Sequence, residues 1–294
     1  MSPAVGSAIG DATVGAAPFV DLHMHSTASD GSRAPADVVR AAKRASLTAI
    51  ALTDHDTVAG LPEAQATAAE LGIRLVNGVE LSAVEGTSET HLLGLHLQDT
   101  GVLERGLEGL RQMRARRAQQ IVERLEELGV HIGYDDVLAQ AAGGAIGRPH
   151  VARALVGAGW ATDQRDAFDR YLGAGRPAYV AKEQLLMRDA IAMIHDAGGL
   201  AVLAHPGPSG TRERLESLRV QGLDGVEVKH PGHSPSDTTR LRTLSEQLGL
   251  VPSGGSDWHG AADGPRTIGM MQVSREWLDR QDERLAALGR APAA

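Results

Sequence analysis

The sequence predicts an α/β protein, and three observations carry that reading. From Phe19 onward, short apolar runs alternate with helical patterns, the signature of βα units feeding a parallel sheet. Histidines and carboxylates recur where those apolar runs end, which is where α/β barrels and open α/β sheets gather their chemistry. A middle stretch, 99–198, breaks the alternation and reads as helix almost throughout.

In chain order, FVDLHMH is the first strand. Side chains two apart in an extended backbone share a face, so Asp21, His23 and His25 point the same way. A helix follows from Pro35 to Ala45, then the strand TAIALTDH, a helix from Gly60 to Leu71, and the strands RLVNGVELSAV and THLLGLHL. The middle opens with a helix whose apolar stripe runs through Leu103, Leu107, Leu110, Ile121, Leu125 and Leu128. Turn signals at Gly129, Gly143-Gly144, Gly147 and Gly173 to Pro177 divide the rest, which is expected to be an inserted helical subdomain. GLAVLAHPG, DGVEVKHPG and LVPSGGSDWHG then resume the strands. The expected organisation is a discontinuous α/β body over 18–98 and 199–294, a helical insertion over 99–198 and a flexible tail over 1–17.

Composition narrows the function. At 294 residues the chain is long enough for two domains, or for one carrying an insertion. A formal net charge of −8 argues against non-specific gripping of a polyanion, so a nucleotide or nucleic acid has to be met by a local basic site. With no cysteine, any metal must be held by His and carboxylates, and a reducing cytoplasm is compatible. The first seventeen residues lack a basic start and a continuous apolar core, so they do not read as a signal peptide. No apolar run approaches the roughly 18 residues of a membrane span. The expectation is a soluble cytoplasmic protein with no membrane partner and no stable protein partner.

The candidate metal ligands are His23, His25, Asp30, His55, Glu80, His91, His205, Asp257 and His259. One histidine alone would mean little, but these stand together at strand ends. Imidazole with carboxylate suits Zn, Mn or Fe, and a carboxylate such as Glu80 can bridge two ions. His91 and His96 lie five apart on opposite strand faces, so only one can enter the site, and His91 is the nearer to Glu80. Asp54 and Asp56 flank His55 on the other parity, as partners that orient it or, for Asp56, as a turn or N-cap residue. His131 and His195 read as surface residues.

DLHMHSTASDG, LTDHD, NGVELS, HLLGLH, LAHPG and SDWHG resemble, in order and spacing, the motifs of the PHP (polymerase and histidinol phosphatase) superfamily of metal-dependent phosphoesterases. The resemblance covers Phe19 to about Gly260. It implies a distorted (β/α)7 barrel with two to three divalent ions at the C-terminal face, manganese first and iron or zinc as alternatives. It further implies that His23, His25, Glu80 and Asp257 hold one ion, Glu80, His91 and His205 a second, and Asp30, His55 and His259 a third. Asp21 has no ion in that pattern and is expected beneath the site. Such ions neutralise phosphoryl oxygens and activate water, so the expected chemistry is phosphoester hydrolysis by a metal-activated hydroxide without a covalent enzyme intermediate.

Specificity is expected from the insertion. Arg114 and Arg117 fall on the apolar stripe of its first helix, where an arginine either lies at the edge of the packing or points into a pocket that needs positive charge. GRPHVARAL, FDRYLGAGRPAYVAKE and GVEVKHPGH resemble the branch of stand-alone phosphatases acting on nucleoside 3′,5′-bisphosphates, some of which trim short RNA from the 5′ end. That resemblance implies phosphate contacts from Arg148, Lys182 and His230, with His233 a weaker candidate. The expected activity is removal of the 3′ phosphate from small nucleotides such as adenosine 3′,5′-bisphosphate, extending to short RNA or DNA oligonucleotides. The alternatives are a phosphatase of another small phosphomonoester such as histidinol phosphate, and an inactive metal-binding regulatory module.

Overall fold

The computed structural model describes residues 19–291 apart from 87, 142–145, 182–184 and 265; Lys182 and the expected tail over 1–17 lie outside the described residues. Among the described residues eight strands form one sheet: β1 (Phe19–Asp21), β2 (Ala49–Leu52), β3 (Arg74–Glu85), β4 (Ser88–Leu95), β5 (Leu200–Leu203), β6 (Gly225–Lys229), β7 (Val251–Gly254) and β8 (Val273–Ser274), in the order β7-β6-β5-β4-β3-β2-β1-β8. The sheet curls into a nearly closed barrel. Leu22 N donates to Gly254 O at 3.1 Å, Asp257 N donates to His23 O at 2.9 Å, and Met24 bridges Trp258, so the segments after β1 and β7 seal the seam.

The parallel sheet expected from the alternation is broken in one place. β4 runs antiparallel between β3 and β5, because only a short turn separates it from β3 and a crossover needs a dozen residues or more. This reversal puts the start of β4, rather than its end, at the face where the parallel strands end, and His91 lies near that start. β8 pairs antiparallel with β1 as an extra edge.

Helices cover the barrel: α1 (Pro35–Arg44), α2 (Leu61–Leu71), α7 (Met187–Asp196), α8 (Arg212–Val220), α9 (Pro235–Leu248) and α10 (Arg275–Ala287). α1 and α2 each begin with a proline near the first helical position, where its missing N–H costs nothing. Ser234 caps α9 in a reciprocal pair with Asp237.

Between β4 and α7 stand α3 (Thr100–Glu127), α4 (Tyr134–Ala141), α5 (Arg148–Gly157) and α6 (Gln164–Ala167), the last running into a π-helical turn over Phe168–Leu172. The described helices of this stretch and α7 divide between two apolar cores. Leu103 and Leu107 of α3 and Ile191 and Ile194 of α7 belong to the barrel core, whereas Ile121, Leu125, Val137, Val151, Leu155 and Leu172 form a second core. The separately packed part of the middle stretch is therefore narrower than 99–198, because both its ends carry apolar faces that cover the barrel. Leu128, expected on the buried stripe, is 47% exposed where α3 ends.

Candidate metal centre

His23 and His25 lie just beyond the regular ladder of β1, Asp30 in the following turn, His55 beyond β2, Glu80 within β3, His91 within β4, His205 beyond β5, and Asp257 and His259 beyond β7. All of them meet at one end of the barrel. Two close approaches make room. A Cβ on Gly255 would stand 2.4 Å from His23 Cβ, and one on Gly31 2.6 Å from His25 O, so these positions accept only glycine without a shift of backbone. His205 and Asp257 hold left-handed backbones, at φ 28° and 52°, a cost of about 1–3 kcal/mol each that the surrounding structure must impose.

Glu80 is the hub. Its Oε1 faces His91 Nδ1 at 2.8 Å and His205 Nε2 at 3.0 Å; its Oε2 faces His23 Nε2 at 3.0 Å, His25 Nε2 at 3.1 Å and His55 Nδ1 at 3.4 Å. Asp257 Oδ1 lies 3.5 Å from His23 Nε2 and 3.2 Å from His25 Nε2. Asp30 Oδ1 lies 3.2 Å from His259 Nε2, and Asp30 Oδ2 lies 3.9 Å from His55 Nε2. His25 stands between the groups: its Nδ1 is 3.8 Å from Asp30 while its Nε2 faces Glu80 and Asp257. Among the described residues, four groups place ligand atoms within 4.8 Å of one another: His23, His25, Glu80 and Asp257; His25, Asp30, His55 and His259; His55, Glu80 and His91; and His23, Glu227 and His230.

The donor set fits divalent ions on an observation independent of spacing. Both ring nitrogens of His25 and Nδ1 of His91 are buried with no partner in hydrogen-bond geometry, although carboxylate oxygens stand close by. Buried nitrogens left so are costly, and a cation can take the one lone pair that each neutral imidazole offers. The charges agree. Burial alone would raise Glu80, but the charge on His23, hydrogen bonds from His205 and His23 and the close approach of His25 hold it well below the usual range. Burial likewise opposes ionisation of Asp257, and His230, His25 and His23 overcome it and hold its pKa far below normal. Asp30 is lowered to about 2 against its own burial, by His259 first and then by His55.

Glu227, buried in the middle of β6, was not singled out by the sequence reading. Its Oε1 takes His23 Nδ1 at 3.1 Å and its Oε2 takes the backbone N–H of His205 at 2.8 Å. An ionised carboxylate only accepts, so a His23 proton sits on Nδ1 and Nε2 is the nitrogen turned toward the centre, able to offer its lone pair once its own proton is displaced. The one available signal was a lone Glu in the apolar run GVEV.

Asp21 contacts no imidazole nitrogen. Its Oδ1 accepts from Ser256 N and its Oδ2 from Gly269 N, both at 2.9 Å, so it ties together two points of the loop that follows β7. Asp54 and Asp56 are both engaged away from His55, and Asp56 holds a turn with a left-handed backbone at φ 50°, the turn alternative rather than the cap. Asp54 accepts from Ser26 N, Ser26 Oγ and Ser29 Oγ, each at 2.7 Å, and so fixes the turn that carries Asp30. Asp56 accepts from Ser82 N at 2.9 Å and pairs with Arg114; the cap position of α2 is Gly60.

The other sequence candidates divide. His230 is buried, takes Gly232 N at Nδ1 (3.0 Å) and turns Nε2 toward Asp257 Oδ2 (3.3 Å). His233 is engaged at both nitrogens by backbone, from Val228 O and Gly207 N. Arg117 donates through Nε and Nη2 to Val180 O at 3.0 and 2.9 Å. Arg148 donates to Leu172 O at 3.2 Å and lies between the rings of Phe168 and Tyr179, 5.5 and 5.6 Å from their centroids. Arg114, Arg117 and Arg148 line one small recess with Ile146 and Gly147. Arg117 is held below its ordinary range by burial and then by the charges of Arg148 and Arg114. His195, expected at the surface, pairs with the buried Asp224 at 2.8 Å.

A cleft of about 480 Å³ joins the two regions, with Asp30 and His55 on one side and Arg111, Arg114 and His150 on the other. A pocket of about 240 Å³ lies over the centre itself, lined by Glu80, His91, His205, His230, Asp257 and Arg266 among others.

Comparison with known proteins bears on this arrangement. The model of the PHP domain matches residues 21–174. A 3′,5′-nucleoside bisphosphate phosphatase of Chromobacterium violaceum is 39% identical over 258 residues, covering 85% of this chain and 90% of its own. A 5′-3′ exoribonuclease of Haemophilus influenzae is 37% identical over 245 residues, covering 81% and 89%. A solved structure from Bifidobacterium adolescentis, provisionally described as a metal-dependent phosphoesterase, superposes with a TM-score of 0.71 at 34% identity, over 92% of this chain and 97% of that one.

Proposed function

The chain belongs to the PHP domain family and is a metal-dependent phosphoester hydrolase; from that premise we propose that it removes the 3′ phosphate from nucleoside 3′,5′-bisphosphates and trims short oligonucleotides from the 5′ end. One observation carries the choice of substrate. The cleft from the metal centre ends on Arg111 and Arg114, and Arg114 also borders the recess with Arg117 and Arg148. The scissile phosphate lies on the centre, and the arginines hold the second phosphate. The names of the Chromobacterium and Haemophilus relatives support both halves of the reading.

In this reading His23, His25, Glu80 and Asp257 hold one ion, Glu80, His91 and His205 a second, and Asp30, His55 and His259 a third, with manganese the first choice. When bound, divalent ions neutralise phosphoryl oxygens and acidify water at the site. The chain does the rest. Glu227 fixes the His23 ring, and Asp54 fixes the turn of Asp30. Arg148, held by two aromatic rings, and Arg114, held by Asp56, present charge to a phosphate without having to be ordered first. Lys182 and His230 are further candidates for phosphate contact. Within 99–198, the helices that pack in the second core act as a specificity-bearing insertion, and the enzyme works on cytoplasmic nucleotides.

The test is a substrate panel with manganese-supplemented protein: a nucleoside 3′,5′-bisphosphate, the 3′- and 5′-monophosphates, histidinol phosphate and a short 5′-phosphorylated RNA. The reading expects the highest kcat/KM on the bisphosphate, with phosphate lost from the 3′ position. Preference for histidinol phosphate, or loss of the 5′ phosphate, defeats it.

A further inference from the structure

We propose that Arg266 is a phosphate-contacting catalytic residue of the centre, donating to the non-bridging oxygens of the scissile phosphate. The inference rests on the phosphoesterase reading of the site but not on the choice of nucleotide. Arg266 lies in the loop between β7 and β8, beyond the SDWHG segment, and its side chain is 49% exposed into the pocket above the centre. Among the described residues, every other side chain lining that pocket is an imidazole or a carboxylate. Arg266 is therefore the lining group whose positive charge persists at any working pH.

Its position leaves ion binding undisturbed, because Asp257 divides its two oxygens. Oδ1 faces His23, His25 and, at 3.6 Å, His259 Nδ1, whereas Oδ2 faces His230 and pairs with Arg266 Nη1. An ion taken by Oδ1 leaves the arginine on Oδ2. Nη1 is the only nitrogen of this guanidinium engaged among the described contacts, which leaves the remaining N–H donors of the fork for a ligand in the pocket.

Described residues on either side of Arg266 are also tied down. Thr267 Oγ1 donates to Gly264 O at 2.7 Å, and Gly269 N donates to Asp21 Oδ2, the carboxylate whose other oxygen holds Ser256 next to Asp257. One buried side chain thus sets Arg266 and Asp257 relative to each other. A donor pre-set in this way stabilises charge on the phosphoryl oxygens without reorganisation. In the step itself the bond from phosphorus to the ester oxygen breaks as one to the water oxygen forms. One water proton goes to the leaving oxygen and the other stays with the phosphate. Arg266 exchanges neither.

The experiment compares Arg266→Ala and Arg266→Lys with the parent protein, each loaded with manganese, on p-nitrophenyl phosphate and with inorganic phosphate as inhibitor. Arg266→Ala is expected to lower kcat/KM about 100-fold and to raise the phosphate inhibition constant about tenfold, with the manganese content by elemental analysis unchanged. Arg266→Lys should recover part of both. Loss of manganese from either variant would show that Arg266 acts through Asp257 as a structural partner, and overturns the proposal. So does a loaded Arg266→Ala variant within twofold of the parent in rate and in phosphate inhibition. Failure of the nucleotide reading would appear instead in the substrate panel and leaves these readouts untouched.

Discussion

Glu80 would be protonated by burial alone, and it stays charged because five imidazoles from four segments face its two oxygens. At this scale the sequence is readable where two side chains are forced onto one face. The two-residue spacings of His23 with His25 and of Asp257 with His259 are of that kind, and the structure brings all four to the barrel mouth. It is silent where the partner is fixed by tertiary packing. Glu227 shares its parity on β6 with Lys229 but with no histidine or second carboxylate, and only the curl of the sheet carries it under His23. Glu227→Gln is expected to keep the fold while weakening manganese binding by about 10- to 100-fold, because an amide can turn its own N–H toward His23 and release the Nε2 lone pair from the centre. Calorimetric titration of metal-stripped protein measures this; affinity within threefold of the parent would mean that Glu227 orients nothing.

Among the elements, α3 and α10 show two ways in which a charged residue on a packed helix finds a partner. On α3 the apolar stripe runs through Arg114 and Arg117, and spacing alone left open the edge of the packing or a pocket. Arg114 finds Asp56, and Arg117 finds the carbonyl of Val180, a backbone acceptor that no sequence pattern marks. Arg117→Ala frees that carbonyl and should loosen the segment around Val180 at a cost of about 1–3 kcal/mol. A higher hydrogen-exchange rate near residue 180, with α3 itself unchanged, is the expected signature. The direction of β4 was equally hidden, since an apolar run looks the same read either way.

α10 closes the opposite end of the barrel. Gln281 takes His96 at 3.0 Å and Asp282 takes both terminal nitrogens of Arg74 at 2.7 Å. Burial lowers the His96 pKa from 6.5 to about 4, with Gln281 resisting the shift. A depressed base contributes stability that is present above its unfolded pKa and lost as pH falls. Between pH 6.5 and 4 this one side chain should therefore withdraw up to about 3 kcal/mol. Denaturant unfolding across that window, compared with His96→Asn, gives the check: the variant's pH slope should be shallower, and an identical slope removes His96 from the explanation.

At the scale of the whole molecule, a surplus of negative charge is combined with a histidine-rich mouth, so ions and folding are coupled. Burial disfavours a charge on His23, but Glu80 and Glu227 raise its pKa well above normal, so in ion-free protein a proton stands where an ion would bind. Adding manganese to stripped protein should raise Tm in step with its concentration, and chelation should lower it reversibly. A Tm indifferent to both would separate the centre from the fold. The α/β alternation and the strand-end histidines were legible in the sequence because both follow from local periodicity. The barrel's closure was not, since it depends on Leu22 meeting Gly254 and Met24 meeting Trp258. That seam also orders events in time. His23 and His25 are synthesised early and wait for Asp257 and His259, more than two hundred residues later, so a chain emerging from the ribosome cannot assemble the full ligand set until its last strands have left the exit tunnel. Ion capture then acts as a timestamp for barrel closure, and a chain stalled before residue 257 should leave the ion in solution.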